Sequence, residues 1–241
     1  MFFVTSCEVK IMILHRELDI GELSLCPYLP DRKKQIRYFL ASELNESDIS
    51  FLLAKGWRKF GVYFFQPSCP DCSECIPVRV MCDDFKPSKS QRRNLKKNSN
   101  IDVVFGPLKY SERAFEIYQD HSKQRFSQEC DLDEFISGFF SPSTPSLQSE
   151  YYLDGELIGL GFLDKGEDCL SSVYFIYDTK FSHLGLGTFS ILKEIEHTRS
   201  LGLKYYCLGY YVQECQKMAY KNNFKPSEHY NWLEDKWEAT C

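Results

Sequence analysis

The chain has 241 residues, 43% of them hydrophobic and 15% aromatic, which is enough apolar material for a sizeable core and excludes a disordered chain. The formal net charge is −5, which excludes a surface coated with positive charge, so any contact with nucleic acid has to come from a local basic patch. Eleven cysteines, three of them in one seven-residue stretch, fit reduced thiols in the cytoplasm better than a secreted disulfide framework. The opening Met1-Phe2-Phe3-Val4 has no basic region before it and is followed by Glu8 and Lys10, so no signal peptide is expected. No apolar run is long enough to span a bilayer, and no membrane partner is expected.

In chain order, Ile36, Phe39, Leu40 and Leu44 fall at helical spacing, with Asp31 as N-cap after Pro30, and predict a helix. A second helix runs through Ile49, Leu52 and Leu53 and stops near Gly56. Aromatic and β-branched content from Trp57 to Phe65 predicts a strand. Pro67 to Cys75 reads as a turn-rich loop and Ile76 to Val80 as another strand. Ser88 to Asn98 suits a polar helix and Ile101 to Phe105 a strand, followed by two helices through Tyr118 and Phe135. The segment Ser141-Pro-Ser-Thr-Pro-Ser146 marks a boundary. Beyond it come strands at Ser149 to Leu153, Leu157 to Leu163 and Leu170 to Tyr177, the first two joined by an Asp154-Gly155 hairpin turn. A helix from about Leu184 to Arg199, a strand from Tyr205 to Leu208, a helix from Gln213 to Asn222 and a strand around Tyr230 complete the pattern.

Three motifs carry chemistry. Glycines in His183-Leu-Gly185-Leu-Gly187-Thr188, between a strand and a helix, let the helix N-terminus offer free amides to an anion. The order of elements around this turn resembles the GNAT acyltransferase fold; the same glycines would also serve simple helix–strand packing. Cys69-Pro-Asp-Cys72-Ser-Glu-Cys75 supplies three thiolates from one loop. With Cys26 as a fourth donor they suit zinc or an iron–sulfur cluster; without metal they are free thiols or shape a binding loop. Between Lys86 and Asn98 stand six positive charges and no acid. On a helix, Arg92, Arg93, Lys96 and Lys97 share one face, which suits phosphates or is simply solvated.

Four phrases then converge: CPYLPDR at Cys26 to Arg32, the cysteine loop running into Pro77-Val-Arg79-Val80, SQRRNLKKN from Ser90 to Asn98, and LGYYVQECQKMAYKNNFKPSE from Leu208 to Glu228. Together they resemble the bacterial aspartate/glutamate leucyltransferases, relatives of the arginyl-tRNA–protein transferases, over about Leu25 to Trp232. The resemblance implies an α+β chain of two packed GNAT-like modules around mixed and antiparallel sheets: 1–140 with the cysteine loop and basic helix, and 147–241 as the C-terminal module. It implies transfer of leucine from Leu-tRNA to an N-terminal Asp or Glu, marking the acceptor for degradation. Arginine as donor to the same acceptors is the alternative. Leu23 stands where the arginine-transferring relatives have the first cysteine of an N-terminal CxxC pair, so their ligand set does not carry over.

The donor ester is already activated and no cofactor is required for the chemistry, which needs only positioning and oxyanion stabilisation. No catalytic acid or base is assigned. Selection of an acidic acceptor needs a cation. Arg79, Lys217 and Lys221 are the candidates, with Tyr210, Tyr211 and Tyr220 as hydroxyl donors; an ion pair for the arginine and core packing for the tyrosines are the plain alternatives. For tRNA the candidates are Lys89, Gln91, Arg92, Arg93, Lys96, Lys97, Gly185 and Gly187. Two rivals differ in chemistry: an acetyl-CoA-dependent acetyltransferase using the Gly185 turn, and a zinc-stabilised RNA-binding module without catalysis.

Overall fold

The structure, a computed structural model, describes residues 12–140 and 143–240. The N-terminal residues read for a signal peptide, and Ser141 and Pro142, lie outside the described residues. Its first part forms β1 (Ile13–Ile20), β2 (Ser24–Leu25), β3 (Lys33–Lys34), β4 (Ile36–Ser42), α1 (Glu46–Ala54), β5 (Arg58–Phe60), β6 (Tyr63–Pro67), β7 (Ile76–Met81), α2 (Lys89–Lys97), β8 (Ile101–Gly106), α3 (Glu112–Phe126) and α4 (Leu132–Phe139). The second part forms β9 (Ser146–Leu153), β10 (Glu156–Lys165), β11 (Cys169–Tyr177), α5 (Leu186–Ser200), β12 (Tyr205–Tyr211), α6 (Gln216–Ala219), β13 (Ser227–Asn231) and β14 (Lys236–Thr240). The result is a mixed α/β architecture with one four-stranded sheet ordered β1-β4-β6-β5, one eight-stranded sheet ordered β14-β13-β7-β12-β11-β10-β9-β8, and a two-stranded β2-β3 ribbon.

The large sheet is antiparallel except at β11 and β12. Alternation along β10 sends Leu160 and Phe162 to a cluster with Ile117, Phe135 and Phe139 of α3 and α4, and Leu163 to a cluster with Leu192 and Ile195 of α5. Helix α1 and the small sheet build a separate cluster from Ala41, Leu44, Ile49 and Phe64. A buried ion pair, Lys59 to Asp164 at 3.0 Å with side chains 8% and 6% exposed, fastens β5 to β10. Thr144 and Ser146 hydroxyls also donate to Asp164, at 2.9 and 3.1 Å, so the carboxylate is well satisfied inside. Among the described residues no helix is long and apolar enough to cross a membrane.

Most predicted elements recur, with instructive exceptions. Asp31 does not cap a helix. It has φ 64°, and the apolar residues after it form β4, held between β1 and β6. Because both flanks of β4 are paired and its aromatic residues pack on both faces, the helical spacing of Ile36, Phe39 and Leu40 is coincidental. The strand expected from Trp57 to Phe65 is a hairpin, β5 and β6, turning at Gly61 with φ 56°. The helix expected from Gln213 starts at Gln216 and gives way to a 3₁₀ turn, Tyr220–Asn223. The Asp154-Gly155 turn has positive φ at both residues, 52° and 82°, as a two-residue hairpin loop requires. The expected division into 1–140 and 147–241 does not follow the sheets: β7 and β8 pair with strands from the second segment.

Candidate functional site

Strands β11 and β12 run parallel and pair only from Cys169 opposite Tyr205 to Ser171 opposite Cys207. Beyond that point β11 continues to Tyr177 along β10, and β12 to Tyr211 along β7, so the two inner edges part. A bulge between Cys207 and Gly209 in the β12–β7 register accompanies the parting, and Gly209 has φ 83°. Arg58 from β5 reaches into this split, donating from Nη1 to Ser171 Oγ at 2.9 Å and from Nη2 to the Ser172 carbonyl. Lys221, on the 3₁₀ turn after α6, donates from Nζ to the Tyr210 carbonyl at 2.9 Å. Both cations face Gly209: a methyl group there would lie 3.4 Å from Lys221 Nζ and 3.5 Å from Arg58 Nη2.

These two cations are poorly compensated. Their acceptors are a hydroxyl and carbonyls, and among the described residues neither forms an ion pair with a carboxylate. Burial pushes the Lys221 ammonium down to about 7, and the Arg58 charge adds to that shift, while the Cys75 and Cys215 thiols oppose it.

The cysteine loop borders the same region. Burial pushes the Cys75 thiol up to about 12, with the Cys69, Cys26 and Cys72 thiols and Glu74 adding to the effect, so the four cysteines singled out by sequence share one electrostatic neighbourhood. The Tyr28 hydroxyl is also raised, by burial first and then by Cys75, Cys215 and Cys26. Arg32 Nη1 donates to the Asp71 carbonyl at 3.2 Å, and Trp232 Nε1 donates to the Cys75 carbonyl at 3.0 Å, which docks the loop. The Cys69 thiol is occupied with Gln35, donating to its carbonyl at 3.4 Å. Four soft donors suit zinc or iron in number and type. Among the described residues, however, no three His, Cys, Asp or Glu side chains converge as a ligand set.

The basic segment is helix α2, capped as its sequence demands. The Ser88 side chain accepts from the Gln91 amide and the Gln91 side chain accepts from the Ser88 amide. Lys89, Arg92, Arg93, Lys96 and Lys97 are exposed. Gln91, proposed for tRNA contact, is instead 5% exposed and donates from Nε2 to the Asn223 carbonyl at 3.0 Å, tying α2 to the turn that carries Lys221. The helix also docks on the glycine turn: Asn94 Nδ2 donates to the Leu184 and Gly185 carbonyls at 3.2 Å, Asn98 Nδ2 to Leu184 at 3.0 Å, and Lys97 Nζ to His183 at 2.6 Å. Gly185 has φ 66° and precedes α5, which no side chain caps; nothing lies within 4 Å of a methyl placed on Gly187. Helix α2 therefore ties the glycine turn to the turn that carries Lys221.

The other sequence candidates differ in their surroundings, with Tyr210 and Tyr220 next to Lys221 in space or in sequence. Arg79 donates to Glu228 at 2.6 Å and sits 3.7 Å from the Tyr205 ring centre and 4.3 Å from that of Trp237, so its charge is spent on a half-buried ion pair and two aromatic faces. Lys217 and Tyr220 are exposed. Tyr210 is buried and its hydroxyl donates to the Gly56 carbonyl at 3.0 Å, a structural bond that raises no acceptor function for it. Tyr211 is also buried, its ring 5.3 Å from that of His229. Arg58 was missed by sequence reasoning, since one arginine in an aromatic strand carries no spacing signal.

The comparisons cover nearly all of this region. The model for the N terminus of arginine-tRNA-protein transferase matches residues 24–93, and that for the C terminus matches residues 111–231. Aspartate/glutamate leucyltransferase of Marinobacter nauticus is 35% identical over 209 residues, covering 84% of this chain and 88% of the relative. The protein of the same name from Helicobacter hepaticus is 34% identical over 229 residues, covering 91% and 94%; that from Campylobacter jejuni is 33% identical over 226, covering 88% and 92%. With both halves of the family matched in order and relatives aligned along most of their length, the chain belongs to the arginine-tRNA-protein transferase family.

Proposed function

We propose that this chain transfers leucine from Leu-tRNA to the N-terminal Asp or Glu of acceptor proteins and so marks them for degradation. The observation that carries the reading is the near end-to-end similarity to relatives named aspartate/glutamate leucyltransferase. The geometry supports it. The parting of β11 from β12, followed by the uncapped α5 behind Gly185, is compatible with the GNAT-like acyl-transfer cleft this reading requires. The exposed cations of α2 beside that turn suit the phosphates of a tRNA acceptor end.

In the reaction the acceptor's α-amine attacks the leucyl ester carbonyl. The C–N bond forms, the C–O bond to the terminal ribose breaks, the amine nitrogen loses a proton and the ribose oxygen gains one. An N-terminal amine has a pKa of about 7.7–8.0, so a neutral fraction is present at neutral pH and a strong base is optional. Positioning and charge supply the remainder. The experiment is transfer of radiolabelled leucine or arginine, each on its own tRNA, to a peptide beginning with Asp. Transfer of leucine alone supports the reading, whereas transfer of arginine alone assigns the other donor.

Cys26, Cys69, Cys72 and Cys75 remain our proposed ligands for zinc or an iron–sulfur cluster, supported by their shared neighbourhood; no reaction step runs through that group. Anaerobically purified protein is expected to carry near-stoichiometric zinc or iron by elemental analysis. Trace metal only would remove the proposal.

A further inference from the structure

Arg58 and Lys221 face one glycine from two different elements, β5 and the turn after α6, with no carboxylate paired to either among the described residues. Two partly buried cations this close repel each other, and the fold keeps them together without an internal counter-charge. Other cations are held in two ways: Lys59 meets Asp164 and Arg79 meets Glu228, whereas Arg199 donates alone to the Cys82 and Phe85 carbonyls. What sets this place apart is a second cation facing the same glycine, an arrangement suited to a ligand that brings negative charge.

We infer that Arg58 and Lys221 form the receptor for the side-chain carboxylate of the acceptor's first residue, with Arg58 as the residue that sets acidic specificity. The inference rests on the transferase reading for the identity of the ligand, though not for the existence of an anion site. Arg58 is held in place by Ser171 and Ser172, so its fork is oriented before the ligand arrives. A small cavity beside it is bounded by Leu53, Gly56, Trp57, Arg58, Val78 and Gly209. The cavity is about the size of one water molecule and Lys221 does not line it, so it marks where the site lies and not the full space a ligand takes. The open face of α2, by contrast, admits a phosphodiester with a ribose on each side. Gly209 contributes by its missing side chain: at φ 83° any other residue is strained, and a methyl group would stand between the two cations. A site built to pair a carboxylate also rejects the neutral amide, because Asn or Gln leaves the cations unpaired.

The test compares peptides that differ only in Asp against Asn at the first position, in transfer with Leu-tRNA and in direct binding to the full chain by calorimetry. Arg58→Lys keeps both positive charges but loses the planar fork, Lys221→Met leaves Arg58 alone, and Arg58→Met leaves Lys221 alone; circular dichroism and thermal melting identify the folded variants. The Asp-over-Asn preference in kcat/KM is expected to fall at least about tenfold in each folded variant, with tRNA affinity unchanged. Folded variants that keep the preference within about twofold would overturn the inference, on the scale of a lost charged hydrogen bond. A parallel loss of tRNA binding would also overturn it and assign the site to a phosphate. If the unmodified chain transfers nothing, the transferase reading fails on its own. Calorimetry then still decides the anion site, by whether Asp-peptide binding is weakened in Arg58→Lys and Lys221→Met.

Discussion

At Glu194 the fold buries a carboxyl among hydroxyls. The side chain accepts from Ser149 Oγ at 2.9 Å, from the Tyr151 hydroxyl at 3.4 Å and from the Tyr206 hydroxyl, and the residue is 1% exposed. Gly161 leaves the space, since a methyl there would meet Ser149 Oγ at 2.3 Å and Glu194 Oε1 at 2.5 Å. Removal from water pushes the Glu194 pKa up from its ordinary 4.5 to about 7, against the three hydrogen bonds that favour the anion. The folded value exceeds the unfolded one, so this contribution to stability is complete below about pH 4.5 and is lost as pH rises through about 7. Urea unfolding at pH 5 and pH 8 is expected to show the native chain losing more stability than Glu194→Gln over that interval, by up to a few kcal/mol. Equal losses would place the titration elsewhere. Single residues of this kind are the least legible in sequence. Glu194 reads as one more helical acid, and Arg58 as a charge in an aromatic strand, until β5, β11 and β12 are placed together.

Helices were legible where local chemistry decides. Helix α1 ends before Gly56, with φ 77°, and α2 begins at the Ser88–Gln91 capping box. The same helix shows the limit of a motif. Its basic face was visible, but not that Asn94, Lys97 and Asn98 hold the glycine turn or that Gln91 holds the turn carrying Lys221. Strands depend on partners far away in sequence. That is why β4, paired on both sides, read as a helix, and why β14, which pairs with β13, went unread. For α2 the expectation concerns salt. Arg92→Ala with Arg93→Ala should weaken tRNA binding and reduce the slope of log affinity against log salt by about 0.7–0.9 per lost phosphate contact. An unchanged slope would remove both residues from the RNA interface.

Across the whole molecule, the small sheet and α1 lie against the large sheet through contacts that also build the site. The Lys59–Asp164 pair closes the seam between β5 and β10, and the next residue along β5, Arg58, enters the split between β11 and β12. Helix α1 is held to the turn before β11 by Ser50, whose hydroxyl donates to Asp168 at 2.8 Å, and to β14 by Trp237, which donates to the Ala54 carbonyl at 2.9 Å. The cysteine loop, between β6 and β7, lies where both sheets meet the 3₁₀ turn carrying Lys221. The proposed selection of acidic N-termini by this site, with the acyl group taken from tRNA, has a direct assay. Purified protein is given peptides beginning with Asp, Glu or Ala together with tRNA charged with radiolabelled leucine. The account predicts label on the Asp and Glu peptides and none on Ala; label on none of them, or on all three alike, would contradict it.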